Sequence, residues 1–275
     1  MGSRVVQEGM RLNVNYDVYK TVALAAAQRA GEVILEGFGS NHHLHFKSSH
    51  SDLVTEFDPK AEAEIVRIIG AAFPDHQIIA EEGSTGGKHP DYCWYVDPID
   101  GTTNFAHGVP LTCTSIALQE RGELVVGVVY APVLNELYIG VKGQGATRNG
   151  EPIHVSSTDK LERSLLATGF PYNRATIGFN IHCFETFLHA SQGVRRDGCA
   201  ALDLCNVAMG RFDGFWEYGF AYWDMAAGSV IIREAGGNIT RPNGDPLLTV
   251  SRDIVASNGL IHQRIVDVLA TVSHT

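Results

Sequence analysis

Apolar and polar positions divide the chain into helices, then strands, then both in turn. Val18, Val22, Ala25, Ala26, Arg29, Val33 and Phe38 fall at a three-to-four spacing, with Gly37 and Gly39 at the end. That period predicts a helix over 16–38 with those residues on one face. Residues 41–51 are polar, carry His42, His43 and His45, and read as a strand edge or loop. Asp58-Pro59 predicts a helix start, with Asp as N-cap and Pro at the first helical position, and Ile65, Ile68, Ile69 and Ala72 follow on its apolar face. Residues 77–80 read as a short strand running into Glu81-Glu82-Gly83, and 84–90 as a mobile loop. From 93 to about 155, the runs WYVD, TCTSIAL, ELVVGVVYAPV and ELYIGV predict strands, and Arg121-Gly122 and Asn149-Gly150 predict hairpin turns. Beyond about 156 the rhythm changes. Strands at 165–168, 193–196, 212–217, 238–240 and 254–257 alternate with helices at about 180–190, 200–209, 224–234 and 261–269. The expectation is an α+β half over 1–155 and an α/β half over 156–275, with no flexible linker between them.

Composition narrows the partners. Lys plus Arg number 21 against 31 Asp plus Glu, a formal charge of -10. A net-acidic surface argues against non-specific nucleic-acid or membrane binding. No apolar run approaches the ~18 residues of a membrane span. The N-terminal MGSRVVQEGM has no signal-peptide stretch. Five cysteines without a CxxC argue against a disulfide frame, and the expected location is the reducing cytoplasm. An acidic chain can still bind an anionic small molecule where something local reverses the field.

Residues 94–105, WYVDPIDGTTNF, carry the strongest chemical signal. A strand is predicted to end at Asp97, with Pro98 and Gly101 forcing a turn that brings Asp97 and Asp100 to one side. Gly101 lets a ligand approach the backbone, and Thr102, Thr103 and Asn104 suit a helix start whose free N–H groups face an anion. Two carboxylates at ~4 Å repel by about 4 kcal/mol at an effective dielectric near 20. A hard divalent cation removes that cost, and oxygen ligands select Mg²⁺ over Zn²⁺. Alone, the stretch reads equally well as an Asp-rich turn with a helix cap. Three further segments shift the balance. DLVTEFD over 52–58 sets Thr55 and Asp58 at a strand-to-helix junction, and AEEG over 80–83 leaves two carboxylates at a strand end. WDMAAG over 223–228 places Asp224 at a helix start, followed by small residues that let a helix lie close to a sheet. Each also has a plain reading as a cap or a solvated loop.

Together the four segments resemble the inositol monophosphatase family of metal-dependent, lithium-sensitive sugar phosphatases. WxxDPxDGTxNF matches 94–105 at every fixed position, and WDxAAGxxIxxEAGG matches 223–237. The resemblance runs from the first helix to the last. It implies a layered αβαβα sandwich of the inositol monophosphatase and fructose-1,6-bisphosphatase type, a homodimer, and two to three Mg²⁺ ions. By motif, Glu81, Asp97 and the carbonyl of Ile99 resemble ligands of one ion. Asp97, Asp100 and Asp224 resemble ligands of a second, and a third would share Glu81. Thr102 and Asp58 resemble the pair that orients the attacking water, and Gly101 and Thr102 offer N–H groups to phosphate. Glu217 resembles the carboxylate that binds ring hydroxyls, Gly198, Cys199 and Ala200 the substrate-lining turn, and Lys47 a mobile basic loop. Two positions depart from the family pattern. Cys199 stands where Ser or Thr is commoner, which bears on hydrogen bonding to the sugar, and Ala80 stands where Gly is commoner.

The implied activity is hydrolysis of inositol 1-phosphate or a related sugar phosphate, a small-molecule phosphate ester. Fructose-1,6-bisphosphatase activity competes, with Lys47 and Arg174 as possible second-phosphate cations. Nucleotide and histidinol phosphatases usually carry Lys after DGT, where this chain has Thr103. Cys205 and Arg211 fit the bare Cys-x5-Arg spacing of cysteine-dependent phosphatases, but Leu202, Cys205, Ala208 and Met209 share an apolar helix face, so Cys205 reads as a structural thiol. A non-catalytic protein-binding role in transcription, known among bacterial relatives of the family, is the reading of a different class.

Overall fold

In a computed structural model of the chain, which describes residues 16–40, 45–46, 53–83, 85–171, 177–219, 221–247 and 251–272, the first helix is built on small side chains. Helix α1 (Asp17–Gly37) buries Ala23, Ala26, Ala27, Ala30, Gly31, Val33, Ile34 and Gly37. The expected face holds at Ala26 and Val33, with Val22 and Phe38 packed against the same core, and fails at Val18, Ala25 and Arg29. Val18 and Ala25 are exposed, and Arg29 points outward to ion pairs with Glu32 and Glu64. Most of the inward face is small residues, which let the helix lie close to its neighbours. After a two-stranded ribbon, β1 (His45–Phe46) and β2 (Leu53–Val54), α2 (Phe57–Ala72) packs beside α1 and buries Ala61, Ile65 and Ile69.

Among the described residues, the first sheet has eight strands. They are β3 (Gln77–Ala80), β4 (Thr85–Gly86), β5 (Tyr92–Asp100), β6 (Cys113–Glu120), β7 (Glu123–Ala131), β8 (Glu136–Val141), β9 (Gly145–Arg148) and β10 (Glu151–Pro152). Their order is β10-β9-β8-β7-β6-β5-β3-β4, antiparallel except for the β3–β5 pair. Both expected hairpin turns form. Arg121 and Gly122 have φ of 50° and 84°, and Asn149 and Gly150 have 50° and 85°, the two positive values a tight type I′ turn requires. The expected mobile loop is tied down over its described part. Thr85 and Gly86 pair with β3, and the amides of Gly87 and His89 donate to the carbonyls of His76 and Asp75. His76 itself stacks on Tyr92 and Phe73.

A short helix, α3 (Thr102–Ala106), follows β5. The second sheet has the order β12-β11-β13-β15-β14, from β11 (Leu165–Thr168), β12 (Gly193–Arg195), β13 (Gly214–Tyr218), β14 (Asn238–Thr240) and β15 (Asp253–Ser257). Between these strands lie α4 (Ile177–Ala190), α5 (Ala200–Ala208) and α6 (Tyr222–Glu234), and α7 (His262–Thr271) closes the described chain.

Among the described residues, three apolar cores bind five layers. One lies between α1, α2 and the first sheet, one between the two sheets around α5 and α6, and one between the second sheet and α4 and α7. The result is the expected αβαβα sandwich. Helix α6 comes unusually near the first sheet. A Cβ added at Gly127 would lie 2.4 Å from the carbonyl oxygen of Ala227, so only glycine fits there. The Ala226-Ala227-Gly228 run therefore serves packing, and it fixes the height of Asp224 above the sheet. No helix among the described residues is long and apolar enough to cross a membrane.

Candidate active site

Asp97 and Asp100 are three residues apart, so an unbroken strand would send them to opposite faces. The expected turn does not form. β5 runs through to Asp100, and the register with β6 slips: Asp97 pairs with Ser115 and Asp100 with Cys113, three residues against two. This one-residue bulge turns both carboxylates to the same side. Pro98 sits inside it, where no ladder N–H is needed. Gly101 then takes φ 81°, and a Cβ there would meet the carbonyl of Leu111 at 2.8 Å and Cys199 at 3.2 Å.

The other two carboxylates arrive by different routes. Ala80 pairs in parallel with Val96, and the Glu81 amide donates to the Val96 carbonyl, which sets Glu81 beside Asp97. Asp224 lies at a helix start, as expected, but is not an N-cap, its plain alternative reading. Helix α6 begins at Tyr222, and Asp224 reaches back so that one oxygen accepts the Ala221 amide at 3.1 Å. The Ser115 hydroxyl donates to the Trp223 carbonyl and holds this helix start against β6. Asp100 Oδ2 accepts the Ala201 amide at 2.6 Å, at the first turn of α5.

Asp58 shows the same departure from expectation. Glu56 is already helical at φ -62°, so Thr55 caps α2, its hydroxyl accepting the Phe57 amide at 3.2 Å. Asp58 completes the reciprocal box by accepting the Thr55 amide at 2.8 Å and hydroxyl at 2.6 Å. Its other oxygen lies 3.2 Å from Thr102 Oγ1. Asp58 thus stands behind Thr102 rather than on the cleft wall.

These groups surround a cleft of about 280 Å³. Glu81, Asp97, Ile99, Asp100, Gly101, Thr102 and Asp224 line one side. Gly198, Cys199, Ala200 and Glu217 line it too, as do Asp203, Arg196 and Arg252. Every expected site residue within the described chain is therefore in the cleft or one contact behind it. Lys47 and Arg174, and with them His42 and His43, lie outside the described residues. The Cys199 thiol points to Asp100 and Cys113 rather than into the open cleft.

The charge is one-sided. Burial, then the charges of Glu81, Asp100 and Asp224, push the Asp97 carboxyl well above its usual range. Burial, then Asp100 and Glu81, do the same to Asp224. Asp100 and Asp58 are each pushed up to about 6, chiefly by burial against the pull of their hydrogen bonds. Glu217 rises to about 8 through burial and the charge of Asp100. Such a cluster is stable as anions only with a cation among them, and its donors are all hard oxygens. The residues fit magnesium.

Asp203 is the residue that sequence reasoning missed. It is 1% exposed, lines the cleft, and neither carboxylate oxygen has a hydrogen-bond partner among the described residues. The available signal was one acid inside AALDLCNVA, a helix otherwise apolar on nearly every side. Cys205 is the buried structural thiol expected, and Arg211 forks onto Glu136 at 2.6 and 3.0 Å instead of facing it.

The family model for the inositol monophosphatase family matches residues 15–274. An inositol-1-monophosphatase of Synechocystis sp. is 47% identical over 251 residues, 90% of this chain and 88% of its own length. The Nus factor SuhB of Pasteurella multocida is 41% identical over 239 residues, 86% of this chain and 90% of its own. The solved structure of inositol monophosphatase from Anabaena (Nostoc) sp. aligns with a TM-score of 0.85 at 41% identity, covering 94% of this chain and 98% of that one.

Proposed function

Because the chain belongs to the inositol monophosphatase family, we propose that it is a Mg²⁺-dependent phosphatase that hydrolyses inositol 1-phosphate or a related sugar monophosphate. The observation that carries this reading is the convergence of Glu81, Asp97, Asp100 and Asp224, from four separate segments, on one cleft that also holds Thr102 and Glu217. Residues 1–155 and 156–275 act as two halves of that one catalytic unit. The family resemblance further supports a cytoplasmic homodimer sensitive to lithium.

Glu81, Asp97 and the Ile99 carbonyl would hold one Mg²⁺, Asp97, Asp100 and Asp224 a second, and Glu81 would share in a third. Magnesium there supplies positive charge to the phosphoryl oxygens and acidifies water. The protein's own groups do the positioning. Thr102 has one hydroxyl proton, which goes to Asp58 at 3.2 Å or to the Ile99 carbonyl at 3.0 Å. A lone pair on its oxygen is left to take a hydrogen bond from the attacking water. Thr55 fixes Asp58, so that pair is held before substrate arrives. The amides of Gly101 and Thr102 donate to phosphate oxygens. In-line attack breaks the ester P–O bond and releases phosphate and the alcohol, with no covalent enzyme intermediate.

On the alcohol side, Glu217 and Asp203 accept hydrogen bonds from ring hydroxyls. An unpartnered buried carboxylate costs on the order of 1–3 kcal/mol or more, and a hydroxyl donor from a polyol relieves it. A second reading, hydrolysis of fructose 1,6-bisphosphate, is favoured by Arg196 and Arg252 on the cleft wall, which suit a second phosphate. A protein-binding role in transcription rests on the Pasteurella relative's name, and it would survive loss of the carboxylates.

Phosphate release from inositol 1-phosphate, with Mg²⁺ and with EDTA, tests the main reading. Turnover should need Mg²⁺ and vanish in Asp97→Asn. Equal turnover in EDTA, or full activity of the variant, overturns it.

A further inference from the structure

Beside the carboxylate cluster, and sharing Asp100 with it, lies a softer group of ligands whose two thiols the proposed hydrolysis does not use. Cys113 begins β6, Cys199 caps the start of α5, and Asp100 ends β5. The bulge in β5 and the cross-strand pairing of Asp100 with Cys113 bring all three together. The two sulfurs are 3.5 Å apart, and Cys199 Sγ is 3.3 Å from Asp100 Oδ2. One donor atom from each residue lies within 4.8 Å of the others.

We infer that Cys113, Cys199 and Asp100 form an inhibitory site for a thiophilic divalent cation such as Zn²⁺. A tetrahedral zinc with sulfur at about 2.3 Å and carboxylate oxygen at about 2.0–2.2 Å separates its ligands by about 3.8 Å between sulfurs and about 3.5 Å between sulfur and oxygen. The S–S spacing and the Cys199 S–O spacing need to open by only a few tenths of an ångström, and the Cys113 sulfur lies within 4.8 Å of an Asp100 oxygen. Thiolates select Zn²⁺ or Cd²⁺ over Mg²⁺ and Ca²⁺, so the hard ions of the reaction do not compete for the sulfurs. Cys199 and Asp100 line the cleft, which gives the ion an entry, while Cys113 is fully buried behind them. Binding displaces both thiol protons: M²⁺ plus two thiols gives the dithiolate complex and two H⁺.

The consequence for turnover follows from Asp100. A cation on its Oδ2 takes a carboxylate from the magnesium cluster and adds a repelling charge next to it. The thiophilic ion therefore switches the enzyme off without entering the phosphate position. This inhibitory part rests on the proposed phosphatase reading, whereas the binding part does not.

Cd²⁺ is the probe, because its thiolate complex has an ultraviolet charge-transfer band that carboxylates lack. Full-length protein, reduced and in excess Mg²⁺, should gain that band on Cd²⁺ addition to a stoichiometry of one, with loss of inositol 1-phosphate turnover over the same range. Cys113→Ala should lose the band, keep its Mg²⁺-supported activity, and need at least about tenfold more Cd²⁺ for inhibition. Cys93→Ala, a half-buried thiol elsewhere, should behave as wild type. If Cys113→Ala does not fold, Cys113→Ser keeps the volume and removes the soft donor. An undiminished band in the Cys113 variant, or no band in wild type, overturns the site. A band that appears while turnover is unaffected overturns the inhibitory role alone, and absence of turnover before any Cd²⁺ speaks against the phosphatase reading instead.

Discussion

Acidification should empty the magnesium site well before it unfolds the protein. The perturbation is a shift from about pH 8 to about pH 5. In the metal-free fold the Asp100 carboxyl titrates at about 6, and Asp97 and Asp224 are raised in the same direction. A cation needs these groups ionised. With a pKa of about 6, the ionised fraction of Asp100 is nearly complete at about pH 8 and about one tenth at about pH 5. That group alone weakens apparent Mg²⁺ affinity about tenfold, and Asp97 and Asp224 add to it. Stability moves the opposite way. Carboxyls of the unfolded chain titrate near 4, so groups raised to about 6 and, for Glu217, about 8 favour the fold while neutral. That contribution is full below about pH 4 and is lost as pH rises through about 6 to 8. In EDTA, these groups make the protein less stable at about pH 8 than at about pH 5, and saturating Mg²⁺ removes the penalty. Thermal melts across this range in EDTA and in Mg²⁺ are the assay. The Tm gain from Mg²⁺ should be large at about pH 8 and shrink steadily toward pH 5, with the half-saturating Mg²⁺ rising at least about tenfold. A gain independent of pH would refute the reasoning.

Three substitutions probe other links. Asp203→Asn should lower kcat/KM for inositol 1-phosphate by about 5- to 150-fold, the value of about 1–3 kcal/mol for one buried hydrogen-bonded group. It should leave 4-nitrophenyl phosphate, which has no ring hydroxyls, within about twofold; equal losses on both esters would count against hydroxyl recognition. Thr102→Val should cut kcat about 100-fold with KM and Mg²⁺ binding little changed, as measured by steady-state kinetics and calorimetry. Gly127→Ala should push α6 off the first sheet, lowering Tm by several degrees, since overpacking costs about 1–3 kcal/mol. Activity should fall with it because Asp224 rides on that helix, and an unchanged melt would show that the contact yields freely.

Much of this architecture was legible in the sequence because its signals are local. Arg121-Gly122 and Asn149-Gly150 announce their turns by residue type alone, and both form. The β–α alternation after about residue 156 and the long motifs around Asp97 and Asp224 led to the layered fold. What the sequence hid was relational. The bulge at 97–100 is a property of pairing with β6, and nothing in β5 itself reveals that Ser115 and Cys113 are its partners. Asp58 and Asp224 look like N-caps because an acid at a helix start usually is one. Both sit within the first turn and accept the amide three residues before, which leaves the other oxygen of each carboxylate for a further partner. The inward face of α1 is only half legible, because valine outweighs alanine in any hydrophobic pattern, whereas close packing selects Ala23, Ala27 and Ala30 and leaves Val18 exposed. Cys199 illustrates a limit of carry-over by motif. Its position matches the substrate-lining turn, yet its sulfur turns away toward Cys113 and Asp100.

All of this depends on four acidic side chains sharing a hard cation. Calorimetric titration of Mg²⁺ into wild-type protein and into Asp97→Asn, at about pH 8, addresses that sharing most directly. Saturable binding of two to three ions per chain in wild type, with the tightest step abolished in Asp97→Asn, is the predicted result. Identical isotherms for the two proteins, or no binding to either, would contradict it.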